Sequence, residues 1–97
     1  MFVTLFANAG DLATGSKIAS ITNTNSNSNA FVIRVEGGTG PCVGKSIVFP
    51  LSIAGSQSIF DKAYAAALAA FAGGFSIRVH NYSDDSCNQA AYIELSN

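Results

Sequence analysis

Apolar and polar residues alternate along several short segments of the chain, which is the pattern of β-strands with one buried and one solvated face. In one such segment Phe75, Ile77 and Val79 alternate with polar residues. Six segments rich in apolar and β-branched residues, separated by turn-forming residues, predict strands at Phe2–Ala7, Lys17–Thr22, Ala30–Glu36, Ser46–Leu51, Phe75–Asn81 and Ala90–Leu95. The fold class predicted is therefore mainly β.

One segment between the fourth and fifth predicted strands has helical periodicity instead. Ser58–Phe71 begins with a serine placed to cap the amide of Asp61 and is followed by two glycines, which together predict a helix. Its large apolar residues fall on one stripe, which we expect to lie on the sheet: Phe60, Tyr64, Leu68 and Phe71.

The rest of this helix is mostly alanine and carries no charge after Lys62. A smooth face of small residues allows another helix to approach closely, so we expect it to form the contact between copies of the chain: Ala63, Ala66, Ala67 and Ala70. The alternative is a helix buried within its own domain, although a chain of 97 residues has little material to cover both sides.

Composition supports a single domain over residues 1–97 that associates with other molecules. Charged residues make up 11% of the chain, against roughly 25% in typical soluble domains, which suggests that part of the surface is covered in an oligomer. The net charge of −1 gives no electrostatic basis for binding nucleic acid. No apolar run approaches the roughly 20 residues of a membrane span, so membrane insertion is not expected.

The segment GGTGPCVGKS, residues 37–46, ends as a nucleotide-binding phosphate loop does. Such a loop needs a glycine where this chain has Thr39, and its lysine must open a helix. Here Lys45 precedes a β-branched, proline-terminated segment that predicts a strand. The glycines are better explained as a turn, and no nucleotide or other cofactor is predicted.

The chain has two cysteines and one histidine. A bridge between Cys42 and Cys87 would close a long loop and stabilise the fold by roughly 4 kcal/mol, so a disulfide is predicted. Two cysteines and one histidine do not supply an ordinary zinc site, and no metal is predicted. A nucleophilic cysteine acting with His80 is conceivable, but nothing in the sequence joins them, and the chain is not predicted to be an enzyme.

Two polar segments are candidate ligand sites. The first, TNTNSNSN at residues 22–29, offers the amides of Asn25 and Asn27 to sugar hydroxyls, or is simply a solvated loop. The second is the densest polar cluster in the chain, and its aromatic, amide and carboxylate groups suit a sugar: His80, Asn81, Tyr82, Asp84 and Asp85. Its composition is equally that of a turn.

The element order, four strands, a helix and two strands, is that of small oligonucleotide/oligosaccharide-binding (OB) barrels. From FVIRV through GPCVGKSIVFP and FSIRVHNY to Cys87 and YIEL, the chain resembles the receptor-binding B subunits of pentameric bacterial toxins, notably the subtilase-cytotoxin and pertussis-like group, and related small secreted bacterial proteins. This resemblance implies an OB-fold-like antiparallel barrel, a homo-oligomeric ring, a glycan receptor and a toxin A subunit as partner.

The function expected is therefore that of a glycan-binding subunit of a ring-shaped oligomer, the cell-binding half of a toxin. The alternative is a non-catalytic structural or protein-interaction module with the same assembly and no sugar. Residues 1–10 lack the basic start of a signal peptide. Because the cysteines favour an oxidising compartment, we expect a secreted or periplasmic protein whose signal has been removed rather than an intracellular one.

Overall fold

The computed structural model describes residues 10–23 and 29–97. Within them the chain forms one antiparallel sheet of five strands: β1 (Gly10–Thr22), β2 (Ala30–Glu36), β3 (Ser46–Pro50), β4 (Ser76–Asn81) and β5 (Tyr92–Ser96). The strands lie in the order β3-β2-β1-β4-β5. The mainly β fold class is confirmed, whereas the predicted strand Phe2–Ala7 lies outside the described residues.

Strand β1 lies at the centre of the sheet and is much longer than the predicted Lys17–Thr22. Its first half pairs with β4 and its second half with β2, both antiparallel. The register shifts between Asp11 and Ala13, and both Leu12 and Ala13 are buried although they are adjacent. Such bulges interrupt the two-residue alternation that identifies a strand, and they let a long strand bend.

The core lies on one face of this bent sheet, where buried apolar side chains of strands β1, β2, β3 and β4 meet. Ile33, Ile47 and Val79 are each 0% exposed. An aromatic group closes the core beneath the helix: Phe31 stacks on Phe49 with ring centroids 4.7 Å apart and meets Phe60 edge-on at 5.5 Å. Burial of large rings in such offset and perpendicular contacts stabilises a small domain beyond the area buried.

Two helices connect β3 to β4: a single turn, α1 (Leu51–Ala54), and α2 (Gln57–Gly73). The cap of α2 is Ser56, whose hydroxyl accepts the Ile59 amide at 3.2 Å, so the predicted cap, Ser58, lies inside the helix. The predicted exit is confirmed, because Gly74 ends the helix with a φ of 68°, a conformation that favours glycine.

The structure corrects which side of α2 packs on the sheet. Ala67 and Ala70, predicted to face another copy, are 0% and 1% exposed within the monomer, and Ala63 packs against the core. Of the predicted stripe, Phe60 and Tyr64 do contact the core, but Leu68 and Phe71 are 43% and 49% exposed. The physical reason is that residues 60, 63, 64, 67 and 70 form one stripe, in which the small alanines bring the helix close to the sheet.

The sheet curls so that the segment before β5 meets β3, the strand at the opposite edge. Val48 donates its amide to the Cys87 carbonyl at 2.8 Å and accepts from the Ala90 amide at 3.0 Å. The predicted disulfide is confirmed at the same place, joining Cys42 to Cys87 across 45 residues of sequence. Backbone hydrogen bonds and a covalent bridge thus hold the two ends of the sheet together.

Candidate ligand-binding site

The outer face of the sheet, opposite to the core, carries a cluster of polar and aromatic side chains from three adjacent strands. Ile77 and Val79 point into the core, so Arg78 and His80 lie on the outer face. The register places Asp11 and Tyr92 on either side of His80, and Glu94 beside Arg78. With Tyr82 these residues form what we call the outer cluster: Asp11, Arg78, His80, Tyr82, Tyr92 and Glu94.

Asp11 and His80 are the polar pair of the outer cluster. The Asp11 carboxylate lies 2.9 Å from His80 Nδ1, and the pair bridges strands β1 and β4. The hydrogen bond to His80 and the positive charge of Arg78 lower the pKa of Asp11 below its ordinary value of 3.8. Asp11 is therefore an ionised acceptor at neutral pH, and its partner fixes its orientation.

Arg78 lies between the two carboxylates of the outer cluster. Its Nε is 3.6 Å from Asp11 Oδ1 and 3.7 Å from Glu94 Oε1. The guanidinium also lies over the Tyr92 ring, 5.1 Å from the centroid, and its Nη2 donates to the Tyr92 hydroxyl at 3.3 Å. The electrostatic interaction with Tyr92, followed by that with the Asp11 carboxylate, raises the pKa of Arg78. Arg78 thus organises the middle of the cluster.

Tyr82 provides the exposed aromatic surface of the outer cluster. It is 64% exposed, yet its ring has two neighbours, since it meets His80 edge-on at 4.8 Å and Tyr92 at 6.4 Å. Perpendicular ring contacts of this kind restrict an aromatic side chain without covering its face. The ring is therefore a pre-oriented apolar surface beside a histidine and a carboxylate.

Two predicted ligand residues instead build the turn that carries Tyr82. Asn81 is 1% exposed, and its Nδ2 donates to Asp84 Oδ1 at 2.8 Å and to the Ser86 carbonyl at 2.9 Å. Its Oδ1 accepts the amides of Ser83 and Asp84. All the hydrogen-bonding capacity of Asn81 is used internally, so Asn81 and Asp84 hold the loop rather than a ligand, as the turn composition allowed.

The remaining predicted site residues divide into three groups. His80 and Tyr82 are neighbours in the outer cluster, and Asp85 is exposed in the following turn. Asn25 and Asn27 lie outside the described residues. Of the five proposed ligand-binding side chains in the described ranges, two, His80 and Tyr82, meet in the outer cluster.

Sequence reasoning missed four members of the outer cluster: Asp11, Arg78, Tyr92 and Glu94. A signal for three of them existed, because Arg78, Tyr92 and Glu94 occupy the polar positions of alternating strands. Asp11 gave no such signal, since it is 69 residues from His80 and lies before Lys17–Thr22, the segment that was predicted as a strand. Its position depends on the length of β1 and on the bulge beside it.

The glycine-rich segment is a connection that packs on β1. Thr39 and Thr14 exchange backbone hydrogen bonds of 2.8 and 3.0 Å, and the Cys42 amide donates to the Leu12 carbonyl at 2.9 Å. Lys45 is followed by strand β3 rather than by a helix. The turn interpretation of this segment is confirmed, and five of its amides donate to carbonyl groups of the protein: those of Thr39, Cys42, Val43, Gly44 and Lys45.

Three further observations bear on the chemistry of the chain. Cys87 is in the disulfide and is not a free thiol. Within the described ranges, no group of three or more His, Cys, Asp or Glu side chains lies close enough together to hold a metal ion. No helix in the described part of the chain is both long and apolar enough to cross a membrane.

Comparison with known proteins gives one family. No curated protein and no solved structure matches the chain. One family model does, and it covers residues 1–97, the full length of the sequence. The chain therefore belongs to the family described as a family of unknown function, DUF5992.

Proposed function

We propose that the chain is a glycan-binding subunit that uses the outer cluster to bind a sugar. The observation that carries this proposal is the placement of Tyr82, a 64% exposed ring held edge-on by His80 next to the Asp11 carboxylate. An exposed aromatic ring can stack on the C–H face of a pyranose, while adjacent carboxylates and imidazoles bind its hydroxyls. The chemistry is that of binding rather than of catalysis.

Shape supports the proposal as well. The outer cluster lies on the outer surface of the sheet, and five of its six residues belong to strands β1, β4 and β5. Pairing with β1 on one side and β5 on the other holds Arg78 and His80 in place, so a ligand would not have to order them. The Tyr82 turn is fixed by the four hydrogen bonds of Asn81. A shallow but rigid surface suits a small polar ligand, because binding then costs little conformational entropy of the protein.

We infer that the sheet is an OB-fold-like barrel. Strand β1 pairs with both β2 and β4, and the hydrogen bonds of Val48 join β3 to the segment before β5. The helix α2 lies between β3 and β4 in sequence and covers one side of the core. The hydrogen bonds of Val48 bring one edge of the sheet to the segment that leads into the other, which supports a barrel-like closure.

The proposal includes a homo-oligomeric ring. The resemblance to toxin B subunits makes this ring a pentamer that binds cells, with an A subunit as its partner. It also implies that the protein is exported from the cell. The outward side of α2 supports association, although through different residues from those predicted. Leu68 and Phe71, three residues apart and therefore neighbours on this helix, are 43% and 49% exposed. Exposed apolar side chains in a charge-poor chain favour an interface between copies.

The direct test is binding of the labelled protein to an array of neutral and acidic glycans, followed by NMR titration with any glycan that binds. We expect shifts at Tyr82 and His80, and a loss of about two- to tenfold in affinity for Tyr82→Ala, because contacts between aromatic rings are worth about 0.5–1.5 kcal/mol beyond the area they bury and we take a sugar face to be similar. Phe75→Ala, which removes an exposed ring outside both the cluster and α2, is the matched control. Absence of binding to every glycan, or binding unaffected by Tyr82→Ala, would contradict the proposal.

The exposed apolar side of α2 also favours a second function, that of a protein-interaction module that assembles without binding sugar. Light scattering on the eluting protein separates assembly from a 10.0 kDa monomer. We expect Leu68→Glu to dissociate the assembly by placing a charge at the interface, and Ser52→Glu, an exposed position on α1, to leave it intact. An oligomer that persists in the Leu68→Glu variant would contradict an interface at this side of α2.

A further inference from the structure

The outer cluster has more negatively charged side chains than permanently positive ones. It contains one permanent cation, Arg78, and two carboxylates, Asp11 and Glu94. Both carboxylates face the same guanidinium nitrogen, at 3.6 and 3.7 Å. The positive charge of Arg78 is therefore already balanced, and the second carboxylate leaves an excess of negative charge on this surface.

Part of the hydrogen-bonding capacity of Arg78 is also used or buried within the outer cluster. Its Nη2 donates to the Tyr92 hydroxyl, and the guanidinium plane is held over the Tyr92 ring. Its Nε is buried and has no hydrogen-bond partner in the part of the chain that the structure describes. A ligand carboxylate cannot reach this buried nitrogen, and one that approaches the exposed remainder of the guanidinium also approaches Asp11 and Glu94.

The surroundings of Tyr82 add further negative charge. Asp84 and Asp85 follow it by two and three residues. Lys17, a basic residue of β1, donates instead to the Gly74 carbonyl at the end of α2. Among the members of the outer cluster, Arg78 alone carries the permanent positive charge with which proteins bind acidic sugars, and that charge already faces two carboxylates.

We propose that the outer cluster selects a neutral, hydroxyl-rich sugar and discriminates against acidic sugars such as sialic acids. The inference rests on the proposed glycan-binding function and specifies its ligand. Sugar hydroxyls donate hydrogen bonds to Asp11 and Glu94 while the C–H face stacks on Tyr82. An acidic sugar brings a carboxylate into a surface whose excess charge is also negative, and charges 4 Å apart in water repel by about 1 kcal/mol.

The test compares matched pairs of oligosaccharides that differ by one sialic acid, for example lactose and 3′-sialyllactose, across a panel of neutral cores. Affinity is measured by NMR titration at pH 7 and low salt, following the amides of residues 80–82. We expect each neutral member that binds to do so at least about fivefold more tightly than its sialylated partner, the factor that corresponds to one such repulsion. Tighter binding of the sialylated members would overturn the inference and leave the proposed function standing.

A charge variant separates the two proposals further. Glu94→Gln removes one carboxylate beside Arg78 and should lower the ratio of neutral to sialylated affinity by about fivefold. Glu36→Gln removes a carboxylate on β2 outside the cluster and should leave this ratio unchanged. A preference that does not respond to Glu94→Gln would overturn the charge argument. If no member of any pair shifts residues 80–82, the glycan-binding function itself fails, and the inference falls with it.

Discussion

Asp11 and His80 occupy directly opposed positions on β1 and β4, and their side chains meet at 2.9 Å on the outer face of the sheet. The two residues are 69 positions apart in sequence. Cross-strand pairs of this kind fix the register of the strands that carry them, because a slip of one residue would turn both side chains to the opposite face. The pair therefore connects the fold of the chain to its candidate binding surface.

The titration of Asp11 should report this contact. The hydrogen bond from His80, assisted by the charge of Arg78, lowers the pKa of Asp11 below 3.8 in the folded protein. A depressed folded pKa means that the contact stabilises the protein fully above pH 3.8, and that this contribution disappears as the pH falls through the folded value. Because the side chain is 39% exposed, solvent screening keeps the contribution small.

The measurement is an NMR titration of the Asp11 carboxyl carbon. We expect a midpoint below 3.8, which should rise toward 3.8 in His80→Phe, because that substitution removes the hydrogen bond and keeps a ring against Tyr82. Phe71→Ala, which lies outside the cluster, should leave the midpoint unchanged. A midpoint at or above 3.8 in the unmodified protein would show that the Asp11–His80 contact does not form in solution.

The two sides of α2 should respond differently to the same substitution. Ala67 is fully buried against the sheet, so Ala67→Leu overfills the core and should lower the free energy of unfolding by about 1–3 kcal/mol. Ala69 is exposed, and Ala69→Leu should change the free energy of unfolding by no more than about 0.5 kcal/mol. Urea denaturation of both variants measures the difference. Equal effects would mean that the helix does not present Ala67 to the core.

The helix shows what sequence periodicity determines and what it leaves open. Helical spacing predicted α2 and its glycine exit correctly. It did not predict the rotation of the helix, because alanine is small enough for either side and large apolar residues are attractive candidates for the core. The structure buries Ala67 and Ala70 and exposes Leu68 and Phe71, so packing distance rather than hydrophobicity decided the rotation.

The strands show the same distinction. The segment Ala30–Glu36 was predicted with its observed bounds, because Phe31, Ile33 and Val35 alternate with less buried residues. The first half of β1 was missed, since Gly15 and the bulges within residues 11–16 break the alternation. That error removed Asp11 from the predicted site. His80 and Tyr82 could be found in sequence, but the partner across the sheet required the register.

Removal of the Cys42–Cys87 disulfide should have a large effect on stability. The bridge spans 45 residues, and chain entropy alone assigns it about 4 kcal/mol, a large share of the roughly 5–15 kcal/mol by which domains are stable. The double variant Cys42→Ser, Cys87→Ser should unfold at much lower urea concentration than the oxidised protein. Reduction of the unmodified protein should produce the same shift. A double variant as stable as the oxidised protein would show that the bridge adds nothing to the fold.

The glycines of residues 37–44 should differ sharply in their tolerance of alanine. Gly40 has a φ of 131° and lies so close to β1 that an added Cβ would overlap the Leu12 carbonyl. Gly44, with a φ of 77°, has open space at the corresponding position. Gly44→Ala should therefore cost only the backbone strain, about 1–2 kcal/mol, while Gly40→Ala adds steric overlap and should cost about 2–5 kcal/mol. Urea denaturation distinguishes the two, and equal losses would contradict the packing of this loop on β1.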